Sequence, residues 1–540
     1  MQDASVWWKR LGAFSRRALF GGGGLAALVA AQRPAPAQGT ALKIGPDIYK
    51  SIGVRPLINC RGTLTIIGGS LELDPVRQAK EAAALQFVHL DELADAVGER
   101  LAQLTGAEFG VVTSGCAAGL THATAACVAG GNPDLHVRIP NLAGFPKDEV
   151  IIPTHSRNVY DAAVRAVGVR VLEVETLEQL ESALGPRTAM IYIFAGPRAE
   201  TGPLAFEIVT KLAKDRNVPV LVDAAAEVLT VPNVHLQRGA TLVGYSGGKC
   251  LRGPQCAGMI LGRKDLVRAA WVHSAPHHGF ARGMKVGKEE VLGMLAAVEA
   301  WVHQRDHKAE WNRWMGWLDH IAKEVSKIEG VTTSVREPQG LSNRTPSLSI
   351  RWDTNRIGID GQEVSRILFT TEPRIALGGG GFGRRGAQQG SETSISVTAY
   401  MMSPGDEEIV ARRVREVLQQ APRRPLERPQ TQTAAGDVSG RWNVEITFLA
   451  GKSTHVLHLR QAGNRIEGTH QGDFVSRDLR GTIDGDTVTV ASSQTERFGD
   501  SLQFRFTGKL LSGDTLSGDL DMGEYRTAKF TARRHQSRGA

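Results

Sequence analysis

Tyr245-Ser-Gly-Gly-Lys249-Cys-Leu-Arg-Gly-Pro-Gln-Cys-Ala-Gly258 separates two apolar runs, Thr241 to Tyr245 and Met259 to Leu261. A lysine in a glycine-rich turn at a strand end cannot swing freely into water. Its amine is placed for a fixed partner, which is what a Schiff-base lysine needs. Gly247, Gly248 and Gly253 leave room for a flat group to approach the backbone, and Ser246 can donate to an anion. Taken alone, the same residues also describe a surface hairpin with a solvated lysine.

The preceding segment bears on the choice. Pro219-Val-Leu-Val222-Asp223 is short, apolar and ends on an acid. It reads as a buried parallel strand delivering Asp223 to the carboxyl edge of a sheet, where ligands of open α/β folds bind. An acid there and a lysine one crossover later are the two groups that pyridoxal 5'-phosphate demands. The carboxylate keeps the pyridine nitrogen protonated, so that the ring withdraws electrons. An acid at a strand end also serves as a helix N-cap, and that alternative stays open.

Upstream, Phe109-Gly-Val-Val-Thr-Ser114-Gly115-Cys116-Ala117-Ala118 runs from strand through a Ser-Gly turn into an alanine-rich helix. The free N–H groups of that helix start, with the Ser114 hydroxyl, make an anion site suited to the cofactor phosphate. Glu149-Val-Ile-Ile-Pro-Thr-His155 is a strand whose end presents an imidazole. His155 can lie flat on the ring and relay a proton, or simply begin a helix in water.

These motifs, in this order, resemble fold-type I pyridoxal-phosphate enzymes, with Val-Asp223-Ala-Ala-Ala-Glu227 and Ser-Gly-Gly-Lys249-x-x-x-Gly-Pro-Gln255 carrying much of the likeness. Within them the chain is similar to the group containing bacterial selenocysteine synthase (seryl-tRNA selenium transferase) and D-glucosaminate-6-phosphate ammonia lyase. Ile52-Gly-Val-Arg-Pro-Leu-Ile-Asn59-Cys-Arg-Gly-Thr63 and Gly283-Met-Lys285-Val-Gly-Lys288 add to the resemblance, which runs from about Ile48 to Leu418. It implies Lys249 as the Schiff-base lysine, Asp223 as the pyridine partner and His155 as the ring-stacking residue. Ser114, Gly115, Cys116 and Ala117 with Ser246 would form the phosphate cradle. The chain departs from class V-like relatives at Ala226 and Gly248, where glutamine and histidine occur.

The rest of the chain places these motifs. Its 540 residues, 41% apolar and 22% charged, describe a globular protein of several domains. Half of the formal net charge of +8 lies in the first 37 residues, where Lys9, Arg10, Arg16, Arg17 and Arg33 face only Asp3. No long basic run follows, which argues against a nucleic-acid partner. Arg16-Arg17, the apolar run Ala18 to Ala31 and Ala35-Pro-Ala37 read as a twin-arginine signal, too short for a stable membrane span. A periplasmic or secreted location follows as an expectation. Five cysteines (Cys60, Cys116, Cys127, Cys250, Cys256) suggest neither a disulfide framework nor a metal site, and Cys250 reads as a strand residue facing away from Lys249.

Asp91 to Leu104 is helical and stops at Thr105-Gly106. Strands Gly110 to Thr113, Val150 to Pro153, Arg170 to Glu175, Met190 to Phe194 and Val218 to Val222 alternate with helices. This predicts an α/β fold, a mostly parallel sheet covered on both faces, over residues 38–329. Val291 to Ile328 reads as one long helix with four tryptophans, packing on the core or on a second subunit of a homodimer. Residues 330–421 read as a small α+β domain, and by resemblance Arg374 would hold a substrate carboxylate. Gly378 to Gly383 formally fits G-x-G-x-x-G but lacks a crossover helix, and reads as a loop.

Residues 422–436 are a linker. Eight short alternating strands, starting at Gly440, 454, 465, 479, 487, 502, 515 and 528, then form an all-β meander over 437–535. They predict a small barrel, with a Gly-x-Trp start resembling lipocalin-type barrels. The function expected from the resemblance is an exported enzyme performing α,β-elimination on an amino acid or amino-sugar acid, without a metal. A class V aminotransferase, a selenium-transferase type and a non-catalytic binding protein remain alternatives.

Overall fold

The computed structural model describes residues 42–379, 391–426, 431–495 and 501–536. The twin-arginine segment and most of the Gly378 to Gly383 loop lie outside them. The chain divides at Leu57, and the described residues before it hold the short helix Ile48–Ser51.

From there the strands are β1 (Ile58–Cys60), β2 (Phe109–Thr113), β3 (Glu149–Pro153), β4 (Arg170–Val174), β5 (Thr188–Phe194), β6 (Val220–Asp223), β7 (Leu242–Ser246) and β8 (Gly258–Gly262). All but β1 form one sheet in the order β2-β8-β7-β6-β5-β3-β4. β8 runs antiparallel to both its neighbours, β2 and β7, and the other pairs of this sheet are parallel. The parallel strands therefore end at one edge, which gathers Ser114, His155, Asp223 and Ser246–Lys249 although they are far apart in sequence.

Period-two alternation explains the apolar runs. Val112, Ile151, Ile191, Val222 and Val243 face one core, and Val111, Ile152, Tyr192, Leu221 and Leu242 face the other. Each fully buried aliphatic chain contributes about 1.5–3 kcal/mol. Helix Leu90–Thr105 ends at Gly106, whose φ of 74° suits glycine. Helix Cys116–Ala129 is buried at every residue except Ala117, at its start.

The expected single helix from Val291 to Ile328 is two. Lys288–Glu299 continues as a π turn to Gln304, the chain extends at Arg305, and Asp306 accepts from Ala309 N at 2.9 Å to cap a new helix, His307–Val325. Arg305 fixes the break by donating to Cys250 O (2.7 Å) and Glu310 (2.7 Å). Trp314 and Trp317 pack on the small domain's core. That domain's sheet comprises β9 (Val331–Arg336), β10 (Ser347–Asp353), β11 (Ile375–Gly379) and β12 (Glu392–Thr398), and it recruits β1 in the order β1-β11-β12-β10-β9. Gly378 and Gly379, read as part of a loop, belong to β11 because they pair with Ser396 and Ile395.

All eight strands of the C-terminal meander are present and close into a barrel, from Gly440–Thr447 to Thr527–Arg534, which pair with each other. The interior is filled around Trp442, Val444, Phe506 and Phe530. His455, His470 and Ser492 are buried polar groups near one end, linked by hydrogen bonds of 2.8 and 2.6 Å. A cavity of about 350 Å³, lined by Phe448, Leu449, Leu502, Phe504, Met522 and Tyr525, opens at that end.

Candidate active site

Lys249 stands in a turn closed by three backbone bonds: Gly247 N to Ala257 O (2.8 Å), Arg252 N to Lys249 O (3.0 Å) and Gly253 N to Gly247 O (2.9 Å). On their Cβ side its glycines, read as room for a flat group, give room to the protein's own atoms. A Cβ at Gly247 would meet Met294 Sδ at 2.8 Å and Pro254 O at 2.9 Å, and one at Gly248 would meet Gln255 Cα at 2.8 Å. The turn is tight because its own backbone and the Met294 and Ala297 side chains of a later helix lie against these glycines. Lys249 Nζ lies 5.9 Å from the centroid of the Tyr160 ring. Cys250 is in this turn and not in a strand. Its thiol donates to Glu227 O (3.0 Å), and burial pushes it up to about 11.

Asp223 ends β6 and is 2% exposed. Its Oδ2 accepts from Tyr192 Oη at 3.0 Å and its Oδ1 from Ala225 N at 3.1 Å, with Cys116 Sγ at 3.8 Å. Burial raises the Asp223 carboxyl above its ordinary value, while the Ala225 amide, the Tyr192 hydroxyl and the Lys249 charge pull it back. Lys249, Asp223 and Cys116 therefore share one electrostatic neighbourhood. Cys116 itself stays a thiol, held well above its ordinary value by burial and by Asp223.

Gly115 precedes helix Cys116–Ala129 at φ 89°, a conformation that favours glycine, and a Cβ built there would meet nothing within 4 Å. The space beside Gly115 is open, and the next amides, of Cys116, Ala117 and Ala118, have no acceptor within the helix. Ser246 pairs with Gly258, whose Cα packs against the Gly115–Cys116 peptide, so the lysine strand and the helix start abut. The Ser114 hydroxyl, expected to donate to an anion, instead donates to Met284 O at 2.8 Å. A hydroxyl has one proton, so with Ser114 engaged the donors left at this cradle are the backbone amides and the Ser246 hydroxyl.

His155 follows β3 in a single 3-10 turn, half-buried, with Nε2 3.3 Å from Leu204 O and Nδ1 3.1 Å from Ser156 Oγ. Burial lowers its pKa, the Leu204 carbonyl opposes this, and the Arg198 charge adds to it. Arg374 turns onto its own domain, with Nε donating to Phe369 O (2.9 Å) and its guanidinium 3.9 Å from the Phe369 ring centroid. Sequence reading missed Tyr192, Asn158 and Tyr160. Tyr192 could have been found as a hydroxyl inside an apolar strand, since a buried phenol takes a partner.

The donor set fits pyridoxal phosphate: a buried carboxylate at the sheet edge for the pyridine nitrogen, an amine in its electrostatic reach, and an open glycine cradle under unpaired amides. No family model matches the chain. It is 32% identical over 405 residues to 5'-C-glycyluridine monooxygenase-decarboxylase of a Streptomyces species, across 68% of this chain and 92% of the relative. It is 29% identical over 385 residues to D-glucosaminate-6-phosphate ammonia lyase of Salmonella typhimurium, across 70% of this chain and 99% of the relative. L-seryl-tRNA(Sec) selenium transferase of Proteus mirabilis is 27% identical over 287 residues, across 47% of this chain and 57% of the relative. A solved D-glucosaminate-6-phosphate ammonia-lyase structure superposes with a TM-score of 0.61 at 29% identity, covering 70% of this chain and all of that one. The site and these likenesses agree: the chain belongs to the fold-type I pyridoxal-phosphate enzymes, in the group of the ammonia lyase and the selenium transferases, as a lyase or transferase whose expected cofactor is pyridoxal 5'-phosphate.

Proposed function

We propose that the protein is an exported lyase that eliminates a β-substituent from an amino acid or amino-sugar acid. The observation that supports this most is the match to a relative named as an ammonia lyase over 99% of that relative's length. Bound pyridoxal phosphate supplies the electron sink that stabilises negative charge at the substrate's α carbon.

The chain's own residues do the rest. The Lys249 amine takes the α proton, the Cβ–substituent bond breaks with its electron pair leaving on the substituent, and water then releases a keto acid and ammonia. Asp223, as a carboxylate, would keep the pyridine nitrogen protonated, and the first amides of helix Cys116–Ala129 would hold the phosphate. His155, whose pKa burial lowers, assists proton movement, and Arg374 holds the substrate carboxylate once its guanidinium leaves Phe369.

A second reading is loss of CO2, favoured by the relative named as a monooxygenase-decarboxylase at 32% identity. Incubating the holoenzyme with β-substituted amino acids and sugar amino acids, and assaying ammonia, keto acid and CO2, separates the two. If turnover needs an added keto acid and releases no ammonia, elimination is wrong and transamination stands.

Export rests on the Arg16-Arg17 segment, and cell fractionation tests it. The active unit is a homodimer or larger, supported by exposed Ile66, Leu71, Leu85 and Phe87 in one stretch of chain. An active monomer in light scattering would contradict that.

A further inference from the structure

Tyr192 lies inside β5 with no exposed surface, covered on both faces of the sheet. A phenol in such a strand costs free energy unless its hydroxyl is bonded, so phenylalanine would serve packing alone better. The hydroxyl donates to Asp223 Oδ2 at 3.0 Å. Its oxygen accepts from Asn158 Nδ2 at 3.4 Å, and Asn158 also donates to Ser156 O at 2.8 Å. Ser156 Oγ lies 3.1 Å from His155 Nδ1 and accepts from Phe194 N at 3.1 Å. One run of hydrogen bonds, passing through the Ser156 backbone carbonyl, thus joins the segment carrying His155 to the one carrying Asp223.

We propose that Tyr192 is a positioning residue that keeps Asp223 a carboxylate, and so keeps the cofactor's pyridine proton on nitrogen instead of on Asp223. Among the described residues, Tyr192 from β5 and Cys116 from the helix start bond that carboxylate, and the Lys249 charge acts on it from the turn. Burial alone favours the neutral acid, and a more basic Asp223 would draw the shared proton from the ring. The Tyr192 hydroxyl, the Ala225 amide and the Lys249 charge oppose that pull. Of these, Tyr192 is the one whose donor can be deleted while its ring still fills the core. The neighbouring Cys116 thiol sits farther off, at 3.8 Å, and donates weakly.

This inference rests on the family's cofactor and not on the elimination reading, so its test needs no turnover. Tyr192→Phe and Asn158→Ala are prepared cofactor-free. Each is titrated by fluorescence with pyridoxal phosphate and with the analogue carrying C–H in place of the ring nitrogen. Tyr192 and Asp223 are bonded with or without cofactor, so only the part of the bond that strengthens on loading is read as affinity, a loss of about tenfold.

Tyr192→Phe is expected to lose that much for pyridoxal phosphate while binding the analogue as the unmutated protein does. Asn158→Ala, which frees the phenol to turn, is expected to shift in the same direction by less. In the loaded proteins, the pyridine-nitrogen NMR shift should move toward the unprotonated position in Tyr192→Phe. Equal losses for both ligands would assign Tyr192 a packing role only and overturn the proposal, as would unchanged binding of both. Should Tyr192→Phe fail to fold, Asn158→Ala decides by the same comparison.

Discussion

Gly258→Ala tests the cradle directly. Gly258 opens β8, opposite Thr113 on β2 and Ser246 on β7. A Cβ there would lie 2.4 Å from Cys116 N, 2.5 Å from Gly115 C and 2.8 Å from Tyr245 O. Ordinary contact begins near 3.4 Å, so the Gly115–Cys116 peptide must retreat by about 1 Å, and every obstructing atom is backbone. Overpacking of this kind costs about 1–3 kcal/mol. The displaced amide is also the first of the anion site. Losing one bond to a charged acceptor, at about 1.5–3 kcal/mol, raises the cofactor dissociation constant tenfold or more. Calorimetry on the cofactor-free protein and a pyridoxal-phosphate titration read the two effects separately. Gly283→Ala is the control, since a Cβ there meets nothing within 4 Å. A Gly258→Ala variant that melts and binds cofactor like the unmutated protein would refute the reasoning.

Lys249→Ala should abolish the absorbance of the reconstituted protein at about 420 nm that a lysine-bound cofactor gives, which a spectrum checks. Asp223→Asn should keep that band yet slow turnover by several kcal/mol, because only the reacting substrate needs the protonated ring; unchanged kcat would exclude the role. Burial lowers His122 to about 4 and His273 to about 3. The unfolded chain protonates these imidazoles near 6.5, so the stability they confer is complete above that pH. It falls by about 1.4 kcal/mol per pH unit for each as pH drops toward the folded values. His122→Gln should flatten the decline in melting temperature between pH 6.5 and 5. Deleting residues 437–540 should leave turnover intact if the barrel is an accessory, and a steady-state assay decides.

The large domain was legible because its strands are covered on both faces, so each appears as an unbroken apolar run that ends where the chemistry begins. Asp223 and Lys249 could be read for that reason: each follows such a run directly. The barrel was legible by the opposite pattern, strict alternation with a turn signal after each strand. The helix break at Arg305 was not, because Asp306 is a cap only once Arg305 is pulled away by Cys250 O and Glu310. Nor was the engagement of Ser114, whose partner Met284 lies 170 residues away.

By itself, then, the sequence determined the parallel strands of the large sheet and the strands of the barrel, which sheet edge the former feed, and which acid and amine stand there. Those are local matters of periodicity, turn chemistry and side-chain type. The tertiary structure alone decided how those groups are held. Tyr192 bonding Asp223, Gly258 against Gly115–Cys116 and β1 in the small sheet are contacts between distant segments. A residue's type says that a hydroxyl or a guanidinium needs a partner, but only the packed chain brings a particular one within 3 Å.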